Sequence, residues 1–165
     1  MSSADQLTES GKVAARQLDA WVSFLRAHAA ITRELSVRLQ RAHGLTLNDY
    51  EVLLHLSRAE GGMMRRVDLA SSVLLTASGI TRLLDGLQRC GYVEKVACDS
   101  DARVSYARLT EAGRAKLAEA GCDHLRDVDE LFTSSYSGSE LATLADLLSR
   151  LPMTGGDCRS ASCTG

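Results

Sequence analysis

The sequence predicts a mainly α-helical chain with one small β-hairpin, and three observations carry that prediction. Apolar residues recur three or four positions apart along both ends of the chain. A single proline in 165 residues, with Ala and Leu abundant, favours helices over a turn-rich sandwich. After Gly91 the period shortens toward alternation, the mark of strands.

In the first helix, Leu18, Trp21, Phe24, Leu25, His28, Ile31, Leu35, Leu39 and Ala42 form one stripe, and Gly44 stops it. Thr46-x-x-Asp49 is a capping box that starts a second helix, whose buried face is Tyr50, Leu53, Leu54 and Ser57; Gly61-Gly62 ends it. Two helices follow at Arg66–Val73 and Ala77–Cys90, joined by the corner Leu74-Leu75-Thr76, with Thr76 capping the second. Tyr92–Cys98 and Val104–Leu109 read as strands around a polar tip, Asp99 to Arg103. Thr110-Glu111 opens a long helix through Leu117, Cys122, Leu125, Val128, Leu131 and Phe132. A second capping box, Ser137-x-x-Glu140, starts the last helix, which aligns Leu141, Leu144, Leu148 and Leu151 before Pro152.

Composition narrows the function classes. The length fits one compact domain, and 45% hydrophobic with 24% charged residues excludes wholesale disorder. No apolar run approaches the roughly 18 residues that a membrane-spanning helix needs, so no membrane partner is expected. The first ten residues lack the basic-then-apolar order of a secretory signal. Five cysteines, at 90, 98, 122, 158 and 163, make no disulfide framework, and a cytoplasmic location is expected. Net charge is −2, but its distribution is uneven: residues 61–108 carry 7 basic and 5 acidic side chains, residues 109–165 carry 5 and 9. A mildly basic middle is compatible with local contact to a polyanion. There is no Gly-x-Ser-x-Gly elbow, phosphate-binding glycine loop or paired acid, so no enzyme is expected. His28, His43, His55 and His124 are scattered singly, so neither a metal nor another cofactor is expected.

Three short helices followed by a hairpin make a winged helix-turn-helix, with Leu53, Leu56, Val67, Leu69, Ala70, Ile80, Leu83, Leu84 and Leu87 as its expected core. The helix after Thr76 is then free to lay its first turns in a DNA major groove. Ser78 and Thr81 are small and hydroxylated, and Arg82 is a long planar donor for a guanine edge or a phosphate. The plainer reading is that Ser78 and Thr81 cap and solvate a surface helix. Arg65 and Arg66 read equally as phosphate braces or as solvated surface charge.

From Leu45 to about Ala120 the chain resembles the MarR family of winged-helix transcriptional regulators. The resemblance rests on Leu47-Asn48-Asp49-Tyr50-Glu51-Val52-Leu53, Asp68-Leu69-Ala70, Ser78 to Asp85, Cys90-Gly91-Tyr92-Val93, Asp101-Ala102-Arg103 and Leu109 to Gly113, in order. It implies that Ser78, Thr81 and Arg82 meet bases and backbone. It implies too that Arg103 enters the adjacent minor groove from the wing tip, oriented by Asp101. The alternative for that pair is an exposed ion pair worth less than about 1 kcal/mol. The family's long end helices interleave across a twofold axis. The apolar stripe of a first helix of about 25 residues, roughly 37 Å, likewise asks for a partner surface. The expected organisation is therefore an N-terminal dimerisation helix (1–45), a winged helix-turn-helix domain (46–109), C-terminal dimerisation helices (110–152) and a flexible tail (153–165). A homodimer of this kind reads double-stranded DNA at half-sites about 10 bp apart.

Members of the family often hold a small, frequently anionic aromatic ligand, which makes Trp21, Leu25 and His28, faced by Tyr50 and Leu54, a candidate effector pocket. Core and interface packing at helical spacing is the simpler account of the same residues. A redox branch keeps its reactive cysteine near the start of the first helix; here none precedes Cys90, and Cys90 and Cys98 read as buried structural thiols. The expected function is a dimeric DNA-binding regulator, a repressor released by a small ligand. The alternative is a winged-helix protein-interaction module that does not read DNA.

Overall fold

In the computed structural model, which describes residues 3–73, 75–97 and 105–151, helices frame one small sheet. The helices are α1 (Ser3–His43), α2 (Leu47–Arg58), α3 (Arg66–Ser72), α4 (Ala77–Arg89), α5 (Glu111–Leu131) and α6 (Gly138–Ser149). The strands are β1 (Met63–Arg65), β2 (Val93–Ala97) and β3 (Ser105–Leu109). This is the winged helix-turn-helix arrangement, mainly α-helical, with two differences from expectation. The first helix has 41 residues rather than about 25, because its N-terminal turns carry helix formers such as Ala4, Gln6, Leu7, Ala14 and Ala15 without an apolar stripe to announce them. The hairpin is also joined by a third strand, giving the antiparallel order β1-β3-β2.

Local chemistry explains the boundaries. At the end of α1, Gly44 takes φ +69° and its N–H donates to the Gln40 carbonyl at 3.1 Å, a left-handed turn that side chains with a Cβ resist. The Asp49 N–H donates to Thr46 Oγ1 at 3.2 Å and the Thr46 N–H to Asp49 Oδ2 at 2.9 Å, closing the first capping box. Ser137 and Glu140 close the second in the same way at the start of α6. The Gly79 N–H donates to Thr76 Oγ1 at 3.1 Å, which fixes where α4 begins.

The core lies where α2, α3 and α4 meet the sheet. Leu53, Leu56, Leu69, Ala70, Ile80, Leu84 and Leu87 are buried as expected, and Leu83 packs partly buried against them. Val67 corrects the expectation: it is 66% exposed, on the outer side of α3. Val52, outside the expected face of α2, is fully buried, while Leu54 and Ser57 are half-buried. Cys90 is a second correction. It caps the C-terminus of α4 and is exposed, as is Cys122. Cys98 lies outside the described residues.

Two polar clamps hold α1 to α5. The Arg38 guanidinium donates to Asp127 Oδ1 at 3.0 Å and to both carboxylate oxygens of Glu130, at 2.9 and 3.0 Å. His43, its side chain almost fully buried, places Nε2 3.0 Å from Asp123 Oδ2. The His43 hydrogen bond, then the one from Arg126, holds the Asp123 carboxyl below the usual carboxylate range. Helix α6 is different: none of its residues is fully buried within the chain.

Candidate nucleic-acid interface

The first turns of α4 are presented by the core beneath them. Ile80, Leu84 and Leu87 bury one face, and the opposite face carries Ser78 and Arg82, both exposed. Ser78 Oγ lies 3.2 Å from Thr76 Oγ1, so the capping threonine and the serine share one polar corner. Arg82 forms no ion pair with any described residue. No acid lies in the first turn of α4, and the positive end of the helix dipole is left unneutralised there.

Thr81 is engaged within the chain. Its hydroxyl donates to the Ala77 carbonyl at 2.7 Å and accepts from Arg66 Nη2. Arg66 opens α3 directly after β1, and a groove of about 520 Å³ between α3, α4 and β3 is lined by Arg66, Thr81 and Ser105. The sequence left Arg66 between two readings, and its contact with Thr81 carried no sequence signal because it joins residues 15 apart on different helices.

Asp101 and Arg103 lie outside the described residues. The strands that lead to them are in place: Ala97 pairs with Ser105 in the last described pair before the tip of the β2–β3 hairpin, and the Arg108 Nε–H donates to Glu94 Oε1 across the strands at 2.7 Å.

The five candidate pocket residues do not line one cavity within the single chain. On α1, Trp21 is 55% exposed and stacks on Phe24 with centroids 6.2 Å apart; Phe24 stacks in turn on His28 at 6.3 Å. Leu25 is exposed beside them. On α2, Leu54 packs partly buried on the core, and the buried Tyr50 ring lies 4.4 Å from that of His124 on α5. Burial pushes the Tyr50 phenol up and the His124 imidazole down. A separate apolar cavity of about 510 Å³ between α1, α5 and α6 is lined by Phe24, His28, Ile31, Phe132, Leu144 and Leu148, among others. Of the five candidates, only His28 reaches it, and Phe24, Phe132 and Tyr136 are aromatics that the sequence reading did not place there.

No group of His, Cys, Asp and Glu among the described residues is arranged to hold a metal ion. No single helix among them is long and apolar enough to cross a membrane.

Comparison with known proteins agrees with this architecture. A model of the MarR family matches residues 43–104. The solved structure of AbsC, a MarR family transcriptional regulator from Streptomyces coelicolor, is 31% identical, with a TM-score of 0.73 over 79% of this chain and 88% of that one. Sco3205 from the same organism, a MarR family transcriptional regulator solved in complex with DNA, has the same fold. Its TM-score is 0.77 at 24% identity, over 82% of this chain and 84% of that one. Among curated proteins, the HTH-type transcriptional regulator MhqR of Bacillus subtilis is 25% identical over 82% of this chain and 91% of its own length. With its helix order, three-stranded wing sheet and ordered motifs, this chain belongs to the MarR family of winged-helix, DNA-binding transcriptional regulators.

Proposed function

We propose that the chain acts as a homodimer on a pseudo-palindromic operator in double-stranded DNA, as a repressor released by a small aromatic or anionic ligand. In this reading residues 46–109 read DNA, and residues 1–45 and 110–152 pair the two copies. The observation that carries it is the exposed opening of α4, where Ser78 and Arg82 project from a helix end that has no acid to neutralise it. Arg82 is assigned to a base edge, and Arg103, oriented by Asp101, to the adjacent minor groove.

Support for pairing comes from α6, none of whose residues is fully buried within its own chain, and from the apolar cavity it shares with α1 and α5. Support for a ligand is narrower. Trp21, Phe24 and His28 make an exposed ladder of rings on α1, a surface on which an aromatic molecule can stack. Leu25 flanks that ladder, while Tyr50 and Leu54 pack on the core of the winged domain.

The decisive experiment is a gel shift with the duplex flanking the protein's own reading frame, at two salt concentrations. A retarded complex that weakens steeply with salt is expected, because neutralised phosphates release counterions. Absence of retardation at either concentration would favour a winged-helix module that binds protein instead.

A further inference from the structure

We propose that Arg66 and Thr81 act as one unit at the DNA backbone, in which Thr81 orients the Arg66 guanidinium and Arg66, not the threonine hydroxyl, meets a phosphate. The inference rests on the DNA-binding reading above and assigns a contact within it.

A threonine hydroxyl has one proton to give. Here that proton goes to the Ala77 carbonyl at 2.7 Å, and an oxygen lone pair accepts from Arg66 Nη2. Phosphate oxygens only accept, so a Thr81 held this way has nothing to offer them. Arg66 does: a guanidinium carries five N–H donors, and the contact with Thr81 uses one. Its neighbour Arg65 has Nε 3.5 Å from Asp68 Oδ2, whereas Arg66 pairs with no described carboxylate.

Position points the same way. The register of β1 on β3 sets Arg65 against Tyr106, so Arg66 follows at the seam between the wing sheet and the two helices of the helix-turn-helix. The groove at that seam runs past Ala77 and Thr81, the same turns of α4 that carry Ser78 and Arg82. A duplex lying on those turns brings its backbone over the groove. Fixing the guanidinium beforehand reduces the side-chain entropy lost when the phosphate arrives.

The test is fluorescence anisotropy on two duplexes, the one retarded in the gel shift and a scrambled duplex of equal length, each across a salt series. Arg66→Gln is expected to weaken both duplexes alike and to lower the slope of log K against log salt by about 0.9, the value for one phosphate. Arg66→Lys keeps the charge and is expected to retain the slope while losing affinity severalfold. Thr81→Val keeps the shape without the hydroxyl. It should weaken both duplexes in the wild type and add nothing in the Arg66→Gln background, as members of one unit do. An unchanged slope in Arg66→Gln, or additive losses in the double variant, overturns the assignment. Wild-type protein whose binding shows no salt dependence overturns the DNA reading itself. If Arg66→Gln fails to fold, Thr81→Val decides alone: affinity equal to wild type refutes the unit.

Discussion

The backbone of Gly113 lies against the carbonyl oxygen of Tyr92 so closely that a Cβ at residue 113 would be 2.1 Å from it. The same carbonyl accepts the Thr110 N–H at 3.1 Å, and Thr110 Oγ1 donates to the Gly91 carbonyl at 2.6 Å. The Gly113 N–H closes the cap on Thr110 Oγ1 at 3.0 Å. Four residues thus weld the turn after α4 to the start of α5. Gly113→Ala is expected to cost about 3 kcal/mol, since the obstacle is backbone that cannot swing aside. Gly121→Ala is the control. Its Cβ would meet Tyr50 Oη at an ordinary 3.7 Å, so the gain in helix propensity should stabilise by about 0.5–1 kcal/mol. Urea unfolding of the two variants at equal protein concentration checks both signs.

Arg82 and Arg103 should fail differently. Arg82→Ala is expected to cost about 1–3 kcal/mol on the operator and far less on a scrambled duplex, as loss of a base contact does. Arg103→Ala should weaken operator binding with fold and dimer intact, most strongly where the flanking minor groove is A·T-rich and narrow. Anisotropy titrations on paired duplexes measure both. Equal losses on operator and scrambled DNA for Arg82→Ala would remove its assignment to a base edge.

The sequence was most legible where a local pattern decides the structure. Thr46 with Asp49 and Ser137 with Glu140 are capping boxes because the bonded atoms are three residues apart. It was least legible where tertiary partners decide. Strand β1 has three residues, too few to show alternation, and exists because β3 supplies its ladder. Val67 was misplaced because α3 spans seven residues, which leaves two turns in which to judge a face. At the candidate interface, the exposed face of α4 follows from the period that buries Ile80, Leu84 and Leu87. The Arg66 to Thr81 bond does not follow from any period, because it depends on how α3 packs beside α4.

Acid should destabilise the fold in two stages. Burial holds the His124 imidazole below the ordinary histidine value of 6.5, and burial followed by the Arg58 charge does the same for His55. The unfolded chain therefore takes up protons first as pH falls. The stabilising contribution of the neutral rings is complete above about pH 6.5 and is lost progressively as pH falls toward the folded values. Asp123, also depressed, adds its own loss only at lower pH, below the ordinary carboxylate value of 3.8. The urea midpoint should accordingly drop as pH falls below about 6.5 at fixed protein concentration. His124→Phe, which keeps a ring against Tyr50 but cannot titrate, should flatten that drop; an unaltered pH profile would show that His124 is not its source.

Helix α6 gives the sharpest expectation about assembly. It is rich in leucine, yet none of its residues is fully buried, and Leu147 remains about half exposed within a single chain. Leu144 and Leu148 face the cavity whose other walls are Phe24, Ile31 and Phe132, while Leu18, Trp21 and Leu25 extend the apolar surface along α1. Contiguous apolar surface on three helices is costly to leave in water, and a twofold partner offers the same surface in return. Light scattering at micromolar concentration should therefore give twice the 17.7 kDa chain mass. Leu148→Glu would bury a carboxylate among these side chains on pairing and should shift the population to monomer. Because each copy would supply one α4 to the duplex, the monomer should lose operator binding far more than binding to a single half-site. A monomeric wild type would leave the cavity between α1, α5 and α6 open, and the pairing of half-sites would then need another cause.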